Sequence, residues 1–253
     1  MPWTLAHAAA VLPLRRWPAL PFAGLVAGSM APDFGYYTGH FELAKEAHTP
    51  LGVLWLCLPT SLLVVLLLRW WRPALVELLP QPHRGALASL PARAPWPGWR
   101  GLLALAAAIV AGAATHVVWD SFTHEHAYAV QSLPLLQRQL FAIGGSPFLV
   151  YNTLQHASSV FGVLCLFIAY RRWLQQVPRV AADDGRDAWR IALLVGCAVV
   201  ALLAALPIAR AVAYAPGAIL VRTVIFGTSN AVVLLLLAAW GWSRWGARRA
   251  TSR

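Results

Sequence analysis

Apolar and polar positions along the chain sort into long blocks and do not alternate. Five apolar stretches run from about Leu51 to Leu68, Gly101 to Trp119, Phe148 to Tyr170, Ile191 to Val212 and Ile219 to Trp242. A hydrocarbon core of about 30 Å needs roughly 20 residues of helix, so each predicts a membrane-spanning helix. Pro59 and Pro207 interrupt the first and fourth, which predicts kinks there. A sixth block, Leu20 to Ala31, contains Gly24 and Gly28 and is too short to span; it fits a re-entrant or interfacial helix.

Composition agrees with that pattern. The 253 residues are 59% hydrophobic and 11% charged, with 13 Trp and 18 Pro, a mixture expected of a polytopic all-α membrane bundle. We expect one integral-membrane domain over 1–253: a motif-bearing region 1–50, a transmembrane bundle 51–242 and a basic tail 243–253.

The formal charge of +11 would invite nucleic acid in a soluble chain, but its distribution says otherwise. The segments after the first, third and fifth spans hold 5, 5 and 4 basic residues, whereas the first fifty residues and Asp120 to Pro147 hold 3 and 1. Under the positive-inside rule the Arg-rich segments are cytoplasmic, and the first fifty residues and the Asp120 to Pro147 loop share the outer side. Trp3, Trp17, Trp55, Trp96, Trp99, Trp119, Trp173, Trp242 and Trp245 lie near span ends, as an aromatic belt does.

Cys57, Cys165 and Cys197 sit singly in apolar runs with no C-x-x-C pairing, against a disulfide framework or zinc ribbon. Ser29-Met30-Ala31 resembles a signal-peptidase site, but Pro32 follows directly and the residues before Arg15 are apolar, so cleavage is not expected. Pro73 to Trp99, rich in Pro and Arg, reads as an irregular cytoplasmic loop.

The chemistry concentrates on the outer side. His7, His40, His48, His116, His124, His126 and His156, seven of the eight histidines, fall there with Asp33, Glu42, Glu46, Asp120 and Glu125. Spacing by four puts His116, Asp120 and His124 on one helix face at the end of the second span, each about 40° further round than the last. Ionisable groups at membrane depth are costly and usually mark a site. Imidazole with carboxylate suits zinc, manganese or iron. His116 and Asp120 make half a site, and His7, Asp33 and His48 are the best candidates to complete it. His124 serves as ligand or orienting neighbour. His156, early in the third span, could be a ligand, a proton relay or interhelical glue.

Met1-Pro2-Trp3-Thr4-Leu5-Ala6-His7, Gly28-Ser29-Met30-Ala31-Pro32-Asp33, Glu46-Ala47-His48-Thr49, Thr115 to His124 and Leu154-Gln155-His156-Ala157-Ser158-Ser159 together resemble the bacterial membrane family catalogued as domain-of-unknown-function family 4184. More distantly, the pattern is similar to bacterial membrane-bound metal-dependent hydrolases. That likeness implies metal ligation by His7, His48, His116 and Asp120, with Asp33 as a further ligand or general base. It also implies a bacterial inner-membrane location and zinc, or manganese, as cofactor. The chain departs from that pattern in two places: Phe34-Gly35 follow Asp33 where a second acid is expected, and the His48 motif lacks a preceding Arg and a second His.

Two functions from different classes follow. One is a membrane-embedded metal-dependent hydrolase acting on a lipid-associated or phosphoester substrate at the outer face. The other is a non-enzymatic integral protein, a metal or proton transporter or a scaffold, whose polar cluster packs helices or handles ions. No His-Glu-x-x-His helix, Gly-x-Ser-x-Gly elbow or Walker loop is present. Leu102 to Ala114 holds no ionisable group, which speaks against a path through the membrane.

Overall fold

A computed structural model describes residues 3–90, 98–143, 146–178, 184–213 and 216–251. The fold is all-α and polytopic. Among the described residues five helices are long and apolar enough to cross a membrane: Pro50–Glu77, Trp99–Ser121, Val150–Gln176, Asp187–Val212 and Gly217–Arg244, the first to fifth spans. The fifth belongs to a longer helix, Pro216–Thr251, which continues into the basic segment.

Both interrupting prolines are absorbed without ending a helix. A π-helical turn, Val53–Cys57, precedes Pro59 and accommodates its missing N–H donor, while Pro207 lies inside the continuous helix Asp187–Val212. The expectation of an irregular loop from Pro73 needs correction. The first span runs through Pro73 to Glu77, and His83–Ala88 form a further helix. The Arg72 guanidinium donates to the carbonyls of Leu87 and Leu90 at 2.7 and 2.9 Å, tying the end of the span to the helix that follows. Residues 91–97, including Trp96, lie outside the described residues, as do Met1, Pro2 and the Trp245 side chain. A hairpin of Gln139–Ile143 and Ser146–Leu149, with Phe141 and Phe148 stacked at 4.8 Å, was not legible as alternation in so short a stretch.

The chain forms two compact units. The first comprises Met1–Gly35, His40–Val65 and Trp96–Arg172; the second comprises Tyr36–Gly39, Leu66–Pro95 and Trp173–Arg253. In the first, the nine-residue helix Phe22–Met30 is about 13 Å long, too short to span, and packs along the second span. Small residues set the closeness of that crossing. A Cβ on Gly28 would collide with the backbone of Ile109, and one on Gly112 with the backbone of Leu25. Val11, Leu25 and Ala108 fill one cluster of the core; Ala31, Ala47, Val53, Cys57 and Ala113 fill another beneath the site.

The second unit is built on the fourth and fifth spans. Ala201, Ala205 and Ala209, one turn apart, are buried. Arg190, fully buried, donates to both carboxylate oxygens of Asp184 at 2.6 and 2.7 Å and to the Glu77 carbonyl at 2.9 Å. That bidentate geometry is specific to guanidinium.

Candidate metal centre

Four local structures deliver the site within the first unit. His7 ends the short helix Thr4–His7. Asp33 closes a 3-10 turn, Ala31–Asp33, that Pro32 starts directly after Phe22–Met30. His48 caps the C-terminus of Phe41–Ala47, and His116 and Asp120 occupy the last two turns of the second span. Gly112 lies one turn before His116, so the close approach it permits sets His116 beside Ser29.

Two histidines are oriented by backbone carbonyls. His116 Nδ1 donates to the Ser29 carbonyl at 2.7 Å, and His48 Nδ1 donates to the Ala44 carbonyl at 2.7 Å. A carbonyl oxygen only accepts, so Nδ1 of each ring carries a hydrogen and Nε2 is turned inward. Both Nε2 atoms lie 3.3 Å from Asp120 Oδ2 and 3.6 Å from Asp33 Oδ1. One donor atom from each of Asp33, His48, His116 and Asp120 falls within 4.8 Å of all the others, and the group could hold a metal ion.

His7 completes the wall. Its ring stacks on His116 with centroids 3.7 Å apart, and its Nε2 lies 3.3 Å from Asp120 Oδ1. His124 follows the end of the helix, yet its N–H still bonds the Asp120 carbonyl, which holds its Nδ1 3.5 Å from Asp120 Oδ2. Thr4 donates to Asp33 Oδ2 at 2.5 Å, a partner that sequence reasoning missed although Thr4 precedes His7 in the same motif.

Burial, then the neighbouring His116 ring, lowers His7 to about 4, so it is neutral near pH 7. Burial likewise lowers His124. At Asp33 burial acts upward, but the neighbouring His116 ring and the Thr4 hydroxyl outweigh it and hold the carboxyl below its ordinary range. His7 Nε2, His116 Nε2, Asp33 Oδ1 and Asp120 Oδ1 are buried with no hydrogen-bond partner. Buried polar atoms are normally satisfied, and three of these residues, Asp33, His116 and Asp120, belong to the group that could hold an ion.

A family model described as "Domain of unknown function (DUF4184)" matches residues 1–240. The chain belongs to that family. No curated protein and no solved structure matches it.

Other polar residues of this DUF4184 chain stand apart from the group. His156 is exposed and stacks on Phe148 at 5.6 Å, whereas its neighbour Gln155 is the buried residue of that turn. Glu42 pairs with Lys45 at 2.7 Å, Glu46 lies 3.5 Å from Trp55 Nε1, and Glu125 and His126 are exposed.

Proposed function

We propose that this DUF4184 protein is a membrane-embedded, metal-dependent hydrolase with its His/Asp site near the extracytoplasmic face, acting on a lipid-associated or phosphoester substrate. The observation that carries the reading is the set of four buried, unpartnered atoms on His7, Asp33, His116 and Asp120. Two buried carboxylates, Asp33 and Asp120, lie 3.3–3.6 Å from the Nε2 atoms of His48 and His116, a mixed oxygen and nitrogen set of the kind a divalent cation takes.

In this reading Asp33, His48, His116 and Asp120 hold the ion, zinc or manganese. Such an ion supplies Lewis acidity and lowers the pKa of a water molecule to about 7 in the case of zinc. Ser29 and Ala44, through their carbonyls, keep the His116 and His48 rings turned inward, and Thr4 orients Asp33. His7, with Nε2 3.3 Å from Asp120 Oδ1, walls the site, and Asp33 is a further ligand or the general base. The excess of Lys and Arg in the connections after the first, third and fifth spans supports an outer-side position for this cluster in a bacterial plasma membrane.

Elemental analysis of detergent-purified wild type beside His116→Ala and Asp120→Ala, with folding checked by circular dichroism, tests the proposal. One transition metal per chain in wild type, lost from folded variants, is the expected result. A folded wild type that takes up no metal after zinc and manganese are supplied overturns it and returns the cluster to helix packing or proton handling.

A further inference from the structure

Beside the cluster, the first unit carries a groove of about 210 Å³ that takes His7 as part of its wall. Ala10, Trp119, Ser158, Phe161 and Cys165 also line it. The lining is mostly apolar: beside His7 its polar side chains are Ser158 and Trp119, whose Nε1 donates to Ser158 Oγ at 3.1 Å, and Phe161, Cys165 and alanine methyl groups make up the apolar wall.

Ser158 to Cys165 is eight residues of helix, about 10 Å along the axis, in the middle of the 27-residue third span. At that depth the surroundings are hydrocarbon. The walls are not closed by protein: Phe161 is 67% exposed and Ala10 is exposed as well. The volume is below the roughly 300–1,000 Å³ of pockets that enclose drug-sized ligands, so it suits part of a chain and not a whole molecule.

We infer that this groove seats one acyl chain of a membrane lipid, with the polar part of that lipid directed to His7 and the metal centre. The inference rests on the hydrolase reading and narrows its substrate class to an amphiphile presented laterally from the bilayer. No soluble phosphoester needs an apolar groove beside His7 at mid-span depth.

The test uses the full chain in vesicles of phosphatidylethanolamine and phosphatidylglycerol doped with a phosphatidylcholine carrying a diazirine at mid-chain. Photolabelled positions are mapped by mass spectrometry, and metal content is read on the same preparation. Adducts at Phe161 to Cys165 are expected to exceed those at Val199 and Leu203, which are 49% and 65% exposed on the fourth span, by several-fold. Ala10→Phe and, separately, Cys165→Trp should abolish that excess while metal content stays at the wild-type level. Uniform labelling of all exposed span positions, or an excess that survives both folded variants, overturns the groove. Selective labelling in a protein that holds no metal supports the groove and removes the hydrolase reading, and metal with uniform labelling does the reverse.

Discussion

His116 Nδ1 lies 2.7 Å from the carbonyl oxygen of Ser29, a main-chain atom 87 residues earlier in the chain. This one hydrogen bond selects the tautomer of a fully buried imidazole and aims its Nε2 at two carboxylates. With histidine labelled at both ring nitrogens, adding zinc should move the Nε2 resonances of His116 and His48 while Nδ1 of each remains protonated. Coordination through Nδ1 at either residue would contradict this assignment.

The crossing of Phe22–Met30 over the second span requires hydrogen atoms where other residues carry Cβ. Gly28→Val and Gly112→Val should each destabilise the protein by about 1–3 kcal/mol through overpacking, and should weaken metal retention because Ser29 is displaced from His116. Gly196→Val, whose Cβ meets nothing within 4 Å, serves as the control. Thermal midpoints equal across all three variants would show that the crossing is looser than described.

Thr4 anchors Asp33 without touching the other donors of the cluster by any bond described. Thr4→Val removes a hydrogen bond to a buried carboxylate and should lower metal affinity about 10–100-fold, the usual effect of losing a partner that orients a ligand. Thr4→Ser should restore most of it. Competition with a coloured chelator reads the change, and a Val variant with wild-type affinity would remove Thr4 from the site.

The depressed His7 pKa has a signed consequence. Its folded value of about 4 lies below the ordinary 6.5, so between those values the unfolded chain binds more protons. Metal-free protein should therefore lose stability as pH falls from about 6.5 toward 4, by on the order of 3 kcal/mol from His7. His124, lowered too, adds in the same direction. His7→Phe should flatten the acid side of a plot of thermal midpoint against pH, and an unchanged slope would show that His7 is not neutral in the folded state.

In the second unit the Arg190 guanidinium holds Asp184 well below the usual carboxylate range. Arg190→Met should cost about 1.5–3 kcal/mol, the scale of hydrogen bonds to charged groups, and Arg190→Lys should recover only part because an ammonium cannot bind both oxygens. Neither change should alter metal content. Loss of metal from a folded Arg190→Met variant would mean that the site depends on this anchor.

Much of this molecule is determined locally. Unbroken apolar blocks set the five spans, because lipid leaves the backbone few alternatives to a helix. The four-residue step from His116 to Asp120 places both on one face for the same reason, helical period. The sequence pattern also singled out His7, Asp33 and His48, but left their partners open.

What the tertiary structure decided lies between elements. Close packing at Gly28 and Gly112 brings Ser29 to His116, and the 3-10 turn after Met30 turns Asp33 toward Asp120. His156 shares the histidine-rich end in sequence but stacks on Phe148. Pro73, a breaker by rule, stays inside a helix that Arg72 ties to its neighbour. Backbone carbonyls that choose a tautomer have no signature in residue type, so Ser29 and Ala44 could not be identified from composition or spacing. Helix formation depends on neighbours within a turn; the site depends on contacts between segments tens of residues apart, which only packing in three dimensions determines.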